Sequence, residues 1–166
     1  MSTAEITEFV VDQRVVYPSQ GVGRIIEIQE KQFKDNTFLY YIIYLEFSDM
    51  TVMIPVDKAR ELGIRPIVQM SEAEKALDFI SEDYAPIPSD WKLRYQMNLD
   101  LLKKGSVMDI ASVVRSLYHR SKVKELPILE RKLYDSALNL LQDEVSFSLG
   151  LEKPEVAEMI RNRLES

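Results

Sequence analysis

The chain has 166 residues, no cysteine, a single histidine (His119) and a formal net charge of −6. Without cysteine there can be no disulfide or thiolate metal site, and one histidine rules out a multi-histidine metal centre. No apolar run approaches the ~20 residues needed to span a membrane, and the opening MSTAEITEFV lacks the basic start and apolar block of a secretory signal. Apolar residues make up 46% of the chain, enough to fill a core in each of two small units.

The first 70 residues read as strands. RVVYP (Arg14–Pro18) is short and β-branched. GVGRIIEIQEKQF (Gly21–Phe33) alternates in part after its glycines, and FLYYIIYLEF (Phe38–Phe47) is rich in aromatic and branched residues. MTVMIP (Met50–Pro55) makes a fourth strand, and IRPIV (Ile64–Val68) suggests a fifth. KDNT and SD separate the second, third and fourth as hairpin turns. Short strands in succession predict a small antiparallel sheet curled into a barrel.

From residue 71 the apolar period becomes helical. Ser71 and Glu74 have capping-box spacing ahead of a helix over Glu72–Ser81. EDYAPIPSD then forms a stiff acidic connector. A helix over Asp90–Lys104 places Trp91, Tyr95, Leu99 and Leu102 on one face and ends at Gly105. The next runs over Val107–Tyr118, followed by the basic loop HRSKVKEL. Pro127 opens a long helix to Leu149, and Pro154 opens a last one, Glu155–Leu164. The expected fold class is α+β with two domains, a β-barrel over residues 1–70 and an all-α helical bundle over residues 71–166.

The charge is unevenly spread. Residues 71–90 carry a net −5, whereas residues 91–135 carry +5. Binding to polyanions follows local potential rather than total charge, so the basic block is a functional signal. Catalytic patterns are missing. There is no G-x-x-x-x-G-K and no G-x-S-x-G, and GVG at Gly21–Gly23 lacks the third glycine and following helix of a dinucleotide fingerprint. Serines near His119 do not make a triad, and Glu82, Asp83 and Asp90 read as an acidic connector beside helix starts. The expectation is a binding protein, not an enzyme, with no cofactor, metal or small-molecule substrate.

The basic block opens with Trp91, the chain's only tryptophan. Periodicity puts this ring against the core. Its position at the end of an apolar stripe instead lets it protrude. Lys92 and Arg94 flank it, and Lys103, Lys104, Arg115, Arg120, Lys122, Lys124, Arg131 and Lys132 follow. A protruding ring among cations suits nucleic acid, since cations hold phosphates while the ring stacks on or wedges against an unstacked base.

VVYPSQGVGRIIEI, TVMIPVDKARELGIR and PSDWKLRYQMNLDLLKKGSVMDIASVVRSLYHR occur in an order and spacing that resemble the bacterial CarD/CdnL transcription regulators. The likeness covers about residues 9–150. It implies a Tudor-like, SH3-like N-terminal domain that docks on the RNA polymerase β subunit. It also implies a helical domain whose tryptophan wedges into promoter DNA at the upstream edge of the transcription bubble and stabilises the open complex. A bacterial cytoplasmic location, at the nucleoid through polymerase, follows from the same resemblance. Trp91 matches the wedge, Arg94 and Tyr95 match the pattern after it, and Arg131 matches a basic position assigned to DNA. Leu93 and Gln96 replace basic residues of some members. Lys31 stands where some members use arginine against the polymerase, and Met53 where some use a second one, so a more apolar contact is expected. The expected DNA set is Trp91, Lys92, Arg94, Arg115, Arg131 and Lys132. The polymerase set is Lys31 together with Asp49, Met50, Thr51, Val52, Met53, Ile54 and Pro55, docking by strand addition at a sheet edge. DNA binding in isolation should be weak and largely independent of sequence. The alternative is an interaction adaptor whose helical domain binds protein.

Overall fold

The structure, a computed structural model, describes residues 7–83 and 86–166. Residues 1–6 of the N-terminal stretch, and residues 84–85 within the expected acidic connector, lie outside the described residues. The chain divides into two units between Ile67 and Val68, a little before the break expected at residue 70.

In the first unit, strands β1 (Arg14–Tyr17), β2 (Gly21–Phe33), β3 (Asn36–Leu45), β4 (Met50–Pro55) and β5 (Arg65–Pro66) form one antiparallel sheet in the order β4-β3-β2-β1-β5. Alternation selects the inward side chains. Val15, Ile25, Tyr41, Ile43, Leu45 and Ile54 are buried together with Phe9, Ala59 and Ile64. A register shift between Ile25 and Glu27 marks a bulge in β2, the usual device for bending a strand and increasing its twist. Past the bulge, β2 and β3 run on as a hairpin whose tip, residues 30–38, is exposed.

The β1–β2 turn explains the Y-P-x-x-G spacing. Gln20 N–H donates to the Tyr17 carbonyl at 2.8 Å, and Gly21 has φ 98°, a left-handed value that side chains resist. The β3–β4 turn needs a left-handed residue as well. Asp49 supplies it at φ 54°, donates its N–H to the Leu45 carbonyl at 3.0 Å and accepts from the Tyr44 hydroxyl at 2.6 Å. A short helix, α1 (Val56–Ala59), follows β4 directly; the sequence pattern had not suggested it.

The second unit holds α2 (Met70–Ile80), α3 (Trp91–Lys104), α4 (Val107–Val123), α5 (Ile128–Leu149) and α6 (Lys153–Glu165). Helix α4 is its spine, burying Val107, Ile110, Ala111, Val113, Val114, Ser116 and Leu117 among its neighbours. Two expectations are corrected. The Ser71–Glu74 capping box does not form, because α2 starts two residues earlier than expected, at Met70, behind Gln69. The residues HRSKV are not loop but the last turns of α4: they are adequate helix formers, and no proline intervenes before Pro127.

Candidate functional site

Helix α3 begins at Trp91 because the chain before it is prepared for a helix start. Pro86 and Pro88 stiffen the approach, and the Asp90 carboxylate accepts the Lys92 N–H at 3.1 Å. At the other end Gly105 adopts φ 79°, with Lys103 and Lys104 in the last turn where the helix dipole favours cations. The buried line along α3 is Arg94, Asn98 and Leu102. Tyr95 and Leu99, which periodicity put at its centre, are half-buried on its flank. Trp91 lies one turn before Arg94 on the same face, where that line runs out. Its ring is half-buried.

Arg94 does not face solvent. Its side chain is 3% exposed and its partner Glu130 is fully buried. Nε donates to Glu130 Oε2 at 2.7 Å and Nη2 to Oε1 at 2.5 Å, while Nη1 reaches the carbonyls of Pro88 at 3.0 Å and Ser89 at 3.3 Å. The DNA contact expected of Arg94 is therefore corrected. A desolvated cation needs a fixed anion, and Glu130 is where the fold supplies one.

Arg115 is half-buried. Its guanidinium lies 3.8 Å over the Phe79 ring and donates to the Phe79 carbonyl at 3.0 Å. Its Nε is buried, with no hydrogen-bond partner among the described residues. Burial pushes its pKa below the ordinary arginine value, with nearby Glu82 opposing. It meets the end of α2 through that carbonyl and ring.

Lys92, Arg131 and Lys132 are exposed. Arg131 makes a loose surface pair with Asp135, 3.7 Å away, and lies 6.0 Å over the Tyr134 ring. Because Arg94 joins the first turn of α3 to Glu130 in the first turn of α5, Trp91 and Lys92 lie on one side of this bridge, with Arg131 and Lys132 on the other. Exposed Leu93, Met97, Ile128 and Leu129 belong to the same two helices.

The second expected surface is strand β4. It is an edge strand, paired with β3 alone among the described residues. Met50, Thr51 and Met53 are exposed, Val52 and Pro55 half-buried and Ile54 buried. Pro55 has no N–H to donate and precedes α1, so pairing stops there. Asp49 is exposed but already committed to its turn. Lys31 is exposed opposite Phe38, beyond the Pro55 end of β4, and is not brought beside that strand.

His119 lies within α4, edge-on to Tyr118 at 5.2 Å, and burial, then Arg115, push its pKa below the ordinary histidine value. The hydroxyls of Ser116 and Ser121 donate to carbonyls of their own helix. Among the described residues no group of three or more acidic, histidine or cysteine side chains is placed to hold a metal ion, and no helix is long and apolar enough to cross a membrane. A cavity of ≈160 Å³ bordered by Tyr118, Tyr134, Gln142 and Arg161 is small beside the ~300–1,000 Å³ of typical ligand pockets.

The residues missed from sequence are Glu130 and Glu144, both buried on α5. A signal was present. Leu126, Glu130, Leu133, Ala137, Leu141, Glu144 and Val145 keep core spacing, and an acid inside such a stripe requires a buried donor. For Glu144 that donor is the Val68 N–H, at 2.9 Å.

An antiparallel sheet with an exposed edge strand, followed by a helical bundle carrying an aromatic and cations at one corner, defines a two-part binding protein. Comparison with known proteins names its class. Residues 9–68 match the CarD-like/TRCF RID domain, and residues 75–161 match the CarD C-terminal domain. The chain is 32% identical over 148 residues to a Bacillus subtilis (strain 168) protein named "Putative transcription factor YdeB", covering 89% of this chain and 97% of that one. The chain belongs to the CarD family, a family of transcription regulators rather than of enzymes.

Proposed function

We propose that this regulator docks on the RNA polymerase β subunit through strand β4 and stabilises the promoter open complex by setting Trp91 against the upstream edge of the melted bubble. The observation that carries the reading is the start of α3 and α5: a half-buried indole in the first turn of α3, with Lys92, Arg131 and Lys132 exposed on the two helices that the Arg94–Glu130 bridge joins. A ring at an unstacked step needs no base-specific code, and three exposed cations make few phosphate contacts. Affinity for free DNA is weak, and tethering through polymerase raises the local concentration of the helical unit at the junction. Edge strand β4, with its Met50 and Met53 side chains exposed, supports strand addition with a more apolar contact than a salt-bridged one.

The test is open-complex lifetime with full-length protein, RNA polymerase and promoter DNA. Trp91→Ala keeps its circular dichroism. Losing a base–aromatic stack of about 1–3 kcal/mol shortens the lifetime by about fivefold or more. A folded variant with an unchanged lifetime would end this reading. A second reading, a protein-binding adaptor, is favoured by exposed Leu93, Met97, Ile128 and Leu129. Lys92→Glu, Arg131→Glu and Lys132→Glu together separate the two: the junction reading requires the lifetime gain and its salt dependence to fall, and the adaptor is indifferent.

A further inference from the structure

We infer that Arg94 and Glu130 form the seat of Trp91: a buried device that sets the position of the indole without touching DNA. The inference deepens the proposed function and rests on it for the meaning of Trp91, though not for the mechanics of the seat. Three facts converge. First, the guanidinium of Arg94 spends its donors in two directions, two bonds to the Glu130 carboxylate on α5 and two to the carbonyls of Pro88 and Ser89. Second, those carbonyls belong to the turn immediately before Trp91, which contributes no regular backbone ladder of its own. Third, helical side chains lean toward the N-terminus of their helix, so the indole of a first-turn residue lies back over that same turn. The position of the ring is thus set by residues 88–90, and residues 88–89 are fastened to α5 through one side chain.

The chemistry requires arginine. Its planar fork can meet a carboxylate with two parallel bonds and still direct Nη1 at two carbonyls, whereas the single ammonium of lysine cannot span both directions. The other half requires an acid without freedom to move, and Glu130 is fully buried in the first turn of α5. An exposed cation at position 94 could hold a phosphate but could not fasten the turn. Here Lys92, two residues earlier and exposed, is left for the phosphate.

Trp91 is the only tryptophan, so its fluorescence reports this position alone. The experiment compares full-length wild type, Arg94→Lys and Glu130→Gln by circular dichroism, time-resolved anisotropy of the indole, acrylamide quenching and open-complex lifetime with RNA polymerase and promoter DNA. Lys92→Gln serves as a control that leaves the pair intact. In Arg94→Lys we expect helical content to be kept, the slow component of the anisotropy to be lost, quenching to rise, and the lifetime to drop to that of Trp91→Ala. The control should keep wild-type anisotropy. If the folded Arg94→Lys and Glu130→Gln variants keep the wild-type anisotropy, the seat is refuted whatever Trp91 does on DNA. If the indole loosens while the lifetime is unchanged, the seat stands and the junction reading of Trp91 fails. Should both variants unfold the helical unit, the pair maintains the whole bundle rather than the ring, and the inference falls.

Discussion

The two units bury different things. Among the described residues, every buried charged or amide side chain belongs to the helical unit: Arg94, Asn98, Glu130 and Glu144. The sheet unit is filled by aliphatic side chains, Phe9 and Tyr41, whose hydroxyl accepts the Phe9 N–H at 3.2 Å. The reason is where backbone polar groups find partners. Sheet ladders satisfy their own N–H and C=O groups, so a sheet core can be wholly apolar. A helical bundle has connecting segments whose backbone has no ladder, and where such a segment crosses the bundle a side chain must meet it. Arg94 meets the carbonyls of Pro88 and Ser89, and Glu144 and Ser148 take the N–H and carbonyl of Val68, while Arg115 meets a carbonyl in the last turn of α2, that of Phe79. Charges that looked like surface ligands are fasteners.

That contrast can be broken at its strongest point first. Glu130→Ala strands the Arg94 cation in the bundle and should destabilise the helical unit by about 3–5 kcal/mol, leaving the sheet unit untouched. Denaturant unfolding followed by hydrogen exchange in each unit reads this directly. Arg94→Met with Glu130→Leu should recover much of the loss, because a volume-matched apolar pair carries no desolvation penalty. Equal loss of protection in both units would erase the distinction.

A smaller effect is expected at the other fastener. Glu144→Ala leaves the Val68 N–H without its acceptor, a cost of about 1–3 kcal/mol, and the Val68 amide should exchange faster than its neighbours in α2. At the start of α3, Asp90→Ala removes the cap on the Lys92 N–H and should cost about 1 kcal/mol, with faster exchange confined to the first turn.

The smallest effect is a titration. Burial, and then Arg115, depress the His119 pKa, so its NMR midpoint should fall below the ~6.5 of a free histidine. The unfolded chain takes up this proton more readily than the folded one. The stability contribution of neutral His119 is therefore complete above about pH 6.5 and is lost as the pH falls through the folded-state pKa. Arg115→Met should move the midpoint up, and a wild-type midpoint at or above about 6.5 would contradict the burial of this ring.

Local chemistry made much of the architecture legible. The four longer strands, both hairpin turns and the start of α3 follow from alternation, from left-handed turn residues such as Asp49, and from the Asp90 cap, each of which acts over a few residues. The use of Asp49–Pro55 as an edge and the place of Met53 came from the family resemblance rather than from local pattern; β4 is an edge strand and Met53 is exposed. The extent of α4 was not legible, because a run of basic helix formers reads equally as solvated loop until its upstream turns are packed. Arg94 was misread because charge in a basic segment looks the same whether it faces water or an anion.

Composition and short-range pattern were sufficient to place a lone indole at the opening of a cationic helix, behind a strand-rich module. They could not say which cations remain for a ligand. That was settled by pairing across distance: Glu130 stands 36 residues from Arg94 and Phe79 stands 36 from Arg115. Burial depends on what folds over a side chain, and no window of neighbouring residues contains that information.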